Sequence, residues 1–218
     1  MNDIQRRLSN TEISERVLPR FLRYVQMWTE SDRAVAETPS TLGQWDLAKD
    51  LVSELRSLGV QAVELTDHCY VVASLPASAG CGNAPTIGFM AHMDTASDVS
   101  GKSVKPRVIA EYDGKPIVLD EGRVIDPAEY PELAARTGDT IITSDGTTLL
   151  GADDKAGVAE IMAAIEHLLA HPEIDHGPLE FIFTPDEETG KGLPEFPSAL
   201  VRASACYTMD GGPQGELE

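Results

Sequence analysis

Six side chains of the kinds that bind metal ions or move protons fall in four short motifs. They are His92 and Asp94 in A-H-M-D-T, Asp153 in G-A-D-D-K-A-G, Glu187 and Glu188 in T-P-D-E-E-T-G, and Asp210 in Y-T-M-D-G-G. Each motif follows a short, mostly apolar run: 86–90, 147–150, 179–183 and 205–209. Zinc and similar divalent ions take this mixture of imidazole and carboxylate. In open α/β sheets, ligand sites gather beyond the carboxyl ends of strands. The pattern therefore points to a metal-dependent hydrolase.

Each motif has a plainer explanation. H-x-D puts imidazole and carboxylate on one side of an extended chain, and a carboxylate behind a metal-bound imidazole fixes the ring, yet the tripeptide recurs by chance. Asp153 and Asp154 precede a helix, where Asp is a favoured cap. Glu187 and Glu188 read equally as a solvated acidic turn, and Asp210-Gly211-Gly212 as a simple turn. What the plain readings do not explain is their occurrence together at four strand ends. Adjacent carboxylates repel, so one of Glu187 and Glu188 is expected to be ligated or protonated and the other free to act as a base. His167 and His171, four apart on a helix, could share a metal, but two histidines at a helix end are explained more simply by the helix dipole.

The elements that must position these groups follow from periodicity. Apolar spacing predicts a helix over 11–29, with Val17, Phe21, Tyr24, Val25 and Trp28 on one face and Pro19 near its first turn. Ser40 or Thr41 is placed to cap a second helix reaching Leu58, with Leu42, Trp45, Ala48, Leu51, Val52 and Leu55 inward and Gly59 as the stop. Strands are expected at 61–65, 69–75, 86–91, 179–184 and near 205–209. A hairpin is expected from 140–143 and 147–150 around Ser144-Asp145-Gly146, and an amphipathic helix over 154–170. Residues 95–137 form a long, weakly periodic excursion. Helices interleaved with apolar strands give an α/β sheet covered on both faces.

Composition narrows the partners. The chain has 218 residues, 42% of them hydrophobic, and a formal charge of −19. That charge disfavours nucleic acid and anionic membrane, since phosphate binding needs clustered Lys and Arg. No apolar run reaches the roughly 20 residues of a membrane helix, and residues 1–20 carry no secretion-type apolar core. Cys69, Cys81 and Cys206, without C-x-x-C spacing, suggest reduced thiols and a cytoplasmic location.

At these motifs the sequence resembles the M20 family of metallopeptidases, most closely its tripeptide aminopeptidases. The resemblance is carried by P-S-T-L-G-Q-W (39–45), D-V-S-G-K (98–102), T-L-L-G-A-D-D-K-A-G (148–157), F-T-P-D-E-E-T-G-K-G (183–192) and Y-T-M-D-G-G (207–212). It implies a three-layer α/β/α zinc-exopeptidase-like catalytic domain with a mixed, largely parallel sheet. It also implies two Zn2+ ions bridged by a carboxylate. Carried over motif by motif, His92, Asp153 and Asp210 hold one zinc, Asp153 and Glu188 the other, Asp94 orients His92, and Glu187 is the general base. A cis peptide commonly follows the bridging acid in the family. The implied substrate is a short peptide with a free N-terminus.

Members of the family continue into a lid and dimerisation domain and a returning segment with a late histidine ligand. Residues 1–218 are accordingly expected to be the N-terminal part of the catalytic domain, incomplete at its C-terminus, with exposed apolar surface, weak or no activity, and homodimerisation left to the lid. Another M20 activity, as a dipeptidase or N-acyl-amino-acid deacylase, and a non-catalytic metal-binding module stay open as alternatives.

Overall fold

The computed structural model describes residues 10–212; residues 1–9 and 213–218 lie outside the described residues. Helix α1 (Asn10–Tyr24) and helix α2 (Leu42–Ser57) come first. Strands β1 (Ala62–Leu65), β2 (Val71–Leu75) and β3 (Ile87–His92) follow. The excursion holds β4 (Arg107–Ile109), β5 (Ile117–Val118), β6 (Val124–Ile125), a one-turn helix α3 (Pro131–Ala134) and β7 (Ile141–Thr143). Helix α4 (Ala152–Ala170), β8 (Leu179–Thr184) and β9 (Ala205–Thr208) complete it.

The main sheet has five strands in the order β1-β2-β8-β3-β9. The β1–β2 and β2–β8 pairs are antiparallel; β8–β3 and β3–β9 are parallel. It is a mixed α/β sheet with helices packed on it. Helix α4 packs on β3 and against α1, and α2 covers β1 and β2. Fully buried Leu47, Leu51, Leu55, Phe183, Ile165 and Met162 anchor one continuous core. The carboxyl ends of β3, β8 and β9 lie side by side, which gathers the loops beginning at Met93, Pro185 and Met209.

Several local expectations are corrected. The hairpin does not form: β7 pairs with β4, and 147–150 is not a strand. The turn's own side chains take the bonds a second strand would need. Asp145 Oδ1 accepts from Thr147 N (2.9 Å) and Oγ1 (2.6 Å), Ser144 Oγ donates to Thr148 O (2.8 Å), and Leu149 N donates to Ser100 O (3.1 Å). Asp153 therefore follows a loop and opens a helix, while the other three motifs do follow strands.

Helix α1 stops at Tyr24, because the next residues are drawn toward the β3 loop: Thr95 N donates to Thr29 O (3.3 Å) and Ser31 N to Thr95 O (3.1 Å). Trp28 is consequently exposed, and Pro19 lies inside the helix, not in its first turn. Leu42 is 83% exposed, and Gln44 takes the inward position. Thr41 takes the N-cap position of α2, as expected, but no side-chain capping bond forms: Ser40 Oγ donates to Asp186 Oδ1 (2.5 Å) and Thr41 Oγ1 to Glu30 O (2.8 Å). Gly59 does end that region, with the positive φ of 96° that terminates many helices.

Candidate functional site

His92 is the last residue of β3, and its backbone direction is set by the parallel register with β8. Its imidazole is 2% exposed. Nδ1 lies 2.9 Å from the carbonyl oxygen of Asp94. A carbonyl only accepts, so Nδ1 carries the proton and Nε2 is turned outward. Nε2 lies 2.9 Å from Asp153 Oδ1 and 3.9 Å from Glu187 Oε2. Burial alone would lower the pKa of His92, but the hydrogen bond and charge of Asp94, with Asp154 and Asp153, outweigh it and push the value up to about 10.

The carboxylate of Asp94 does something the sequence did not disclose. It is fully buried, stands 3.4 Å from His92 Nδ1, and accepts the backbone N–H of Glu187 (2.9 Å) and Glu188 (3.2 Å). One carboxylate thus ties the β3 loop to the 3-10 turn Glu187–Thr189. That turn is held from the other side by Asp186, also fully buried, at φ 56°. Asp186 accepts Ser40 N (2.8 Å), Ser40 Oγ and Gln44 Nε2 (2.8 Å), and its own N–H donates to Gln44 Oε1 (3.1 Å). The 39–45 motif therefore works by fastening the acidic turn.

The Asp153–Asp154 peptide is cis, and both residues depart from helical geometry at the head of α4. They serve different ends. Asp153 points to the open site. Asp154 is buried and accepts His92 N (3.1 Å) and Gly157 N (3.1 Å). Burial pushes Asp154 up to about 8, with the charge of His92 opposing and that of Asp210 adding to the rise. Gly157 is required here: a Cβ would fall 2.1 Å from Met209 O and 2.3 Å from Asp154 Oδ1. Lys155 is buried and donates to Met27 O (2.6 Å); burial, opposed by the charge of Asp94, lowers it to about 7.

Asp210 comes two residues past β9, whose end is set by Met209 N donating to Met90 O (2.7 Å). Donor atoms of His92, Asp153 and Asp210 all lie within 4.8 Å of one another. Glu187 borders that group, and Glu188 forms no three-donor group among the described residues. Burial raises the Glu188 carboxyl; the charge of His92 opposes this, and Asp153, Asp94 and Glu187 add to it. One imidazole, two converging carboxylates and excess negative charge form a donor set suited to a divalent ion such as zinc. A second such group, Glu12, His167 and His171, lies elsewhere; the sequence offered the two histidines, while Glu12 gave no signal.

Comparison with known proteins is consistent in direction. Residues 145–213 match the model of peptidase family M20/M25/M40. The chain is 51% identical over 208 residues to peptidase T of Geobacillus thermodenitrificans, which covers 94% of this chain and 50% of that protein. It superposes on the crystal structure of aminopeptidase PepT from Bacillus cereus with TM-score 0.64 and 29% identity, over 92% of this chain and 44% of the other. A tripeptidase from Staphylococcus aureus gives TM-score 0.60 and 27% identity, over 92% and 44%. The chain spans about half the length of the curated relatives it matches.

Proposed function

The chain is a peptidase T homologue of the M20 family of metallopeptidases, and from that premise we propose that its site serves the release of the N-terminal residue from tripeptides. The observation that carries this reading is the convergence of His92, Asp153 and Asp210 from three separate elements, with the Glu187 carboxylate alongside. His92, Asp153 and Asp210 would hold one zinc, and Asp153 with Glu188 would supply part of a second. When bound, such ions lower the pKa of water and polarise a carbonyl oxygen.

The chain's own groups do the rest. Glu187 takes a proton from the attacking water and passes it to the leaving amine. Its half-exposed side chain and its position on a turn pinned by Asp94 support that role. The main-chain oxygen of Asp94 fixes the His92 tautomer, so that Nε2 stays available as a ligand. The surrounding acids favour a substrate with a free α-ammonium group over an acylated one.

Residues 1–218 are read as the N-terminal part of a catalytic domain, in keeping with their match to about half of each relative. Among the described residues no helix is long and apolar enough to cross a membrane. The cysteines are free, which supports a cytoplasmic location.

The test is a panel of tripeptides, dipeptides and N-acyl-amino acids, incubated with zinc and with the protein carried to the length of its relatives. Release of the first residue from tripeptides alone is expected. Preferential cleavage of acylated substrates would overturn the substrate assignment. Glu187→Ala is expected to lower turnover by about 10²–10⁴ with zinc content unchanged; undiminished turnover would remove Glu187 as the base.

A further inference from the structure

Helix α4 carries His167 in its last turn, and His171 caps its C-terminus: His171 N donates to His167 O (3.0 Å) and the two ring centroids lie 4.3 Å apart. Helix α1 packs against that helix and brings Glu12 to the same place. Glu12 Oε1 lies 3.2 Å from His171 Nε2 and 3.9 Å from His167 Nδ1. Zinc–ligand bonds of about 2.0–2.1 Å imply tetrahedral ligand–ligand edges of about 3.3–3.4 Å. The two separations bracket that edge, and all three donors fall within 4.8 Å of one another.

Two further observations point to a cation. The His167 side chain is 8% exposed, and neither of its ring nitrogens has a hydrogen-bond partner. A buried imidazole left in that state is costly unless something ligates it. His171 has its other nitrogen, Nδ1, 2.9 Å from Glu173 Oε1. A carboxylate behind the ring is the usual support of a metal-bound imidazole. Arg16 Nη2 also reaches Glu12 Oε1, at 3.3 Å, but Arg16 keeps a second partner in Glu166 when that oxygen is taken. Partial exposure of Glu12 and His171 leaves a solvent side for water to complete the coordination.

We propose that Glu12, His167 and His171 form a zinc-type site that clamps α1 to α4, separate from the site at the strand ends. Thirteen residues of helix part His167 from Asp154, about 20 Å at 1.5 Å per residue. Two imidazoles and one carboxylate with an open position suit zinc, nickel or copper better than calcium or magnesium. The inference does not depend on the peptidase reading.

The experiment measures zinc bound by the metal-stripped 218-residue protein, by calorimetry and by metal analysis after dialysis. The variants are His92→Ala, His92→Ala/His171→Gln and His92→Ala/Glu12→Gln, each checked by circular dichroism. His92→Ala is expected to retain one zinc equivalent, with a zinc-dependent rise in melting temperature, and both double variants to lose the two effects together. Equal zinc binding by His92→Ala and by the Glu12→Gln double variant overturns the proposal. Glu12 is more than a third exposed, so this arm decides the matter even if the histidine variant does not fold.

Discussion

Two carboxylates, Asp94 and Asp186, hold the acidic turn without themselves facing the solvent. Asp186 receives three hydrogen bonds from α2 and the residue before its cap; on its removal Ser40 N and Ser40 Oγ would lose this acceptor, while Gln44 Nε2 keeps Thr41 Oγ1 (3.2 Å). Asp186→Ala is expected to cost about 3 kcal/mol or more in urea unfolding, since bonds to a buried charge are worth about 1.5–3 kcal/mol each and are not additive. Gly157→Ala is expected to displace Asp154 or the Met209 carbonyl and to weaken zinc binding at the Asp210 site, measured by calorimetry; unchanged affinity would show that the helix shifts without disturbing the site. At this scale the sequence was informative wherever chemistry needs a particular side chain. His92, Asp153 and Asp210 stood out by type and spacing. The separate duties of Asp153 and Asp154, and the seat of Lys155, depend on local backbone geometry that no residue pattern encodes.

Among the elements, α1 and α2 are joined through Glu54. It accepts from Arg20 Nε (2.6 Å) and Tyr24 OH (2.8 Å) and pairs with Arg23, while its side chain is 13% exposed. Burial pushes the Glu54 carboxyl up, but the bonds from Tyr24 and Arg20 and the two guanidinium charges outweigh this and hold it below its ordinary 4.5. A carboxyl depressed on folding stabilises fully above its unfolded pKa and loses that contribution as pH falls through the folded value. Glu54→Gln should therefore cost about 1.5–3 kcal/mol at neutral pH and flatten the loss of stability below about pH 4.5, followed by denaturant midpoints across pH 3–7. Strands β1, β2, β3, β8 and β9 and helices α2 and α4 were legible to within a few residues because their apolar periods are sustained. The missing hairpin and the short α1 were not legible, since competing hydrogen bonds from Asp145 and Thr95 decide them. Leu42 was misjudged because the buried Gln44, not apolar phase, sets the start of α2.

For the molecule as a whole, charge and apolar surface are divided unevenly. A cleft of about 1150 Å³ runs between α1, α4 and the sheet, lined by Val17, Phe21, Phe89, Ile161, Leu168 and Phe181 among others. An apolar opening of this kind on a chain of charge −19 is unusual for surface that faces water. An environment-sensitive dye is expected to bind the native protein saturably, and Leu168→Asp to abolish that signal; dye that responds only on unfolding would show the cleft closed in solution. Exposed apolar surface was expected from the sequence, but its location was not, because it depends on how α1 and α4 lie over the sheet.

Strand β9 is bonded to β3 along one margin and, among the described residues, to nothing along the other; all four of its residues are exposed. Asp210 follows this singly paired ribbon, whereas His92 and Asp153 are braced by β8 and α4. Gripping an ion would immobilise the ribbon, and immobilising the ribbon would tighten the grip, by the reciprocity that links any two coupled equilibria. Ion affinity at this end of the sheet is therefore a gauge of whatever does or does not lie against its outermost strand.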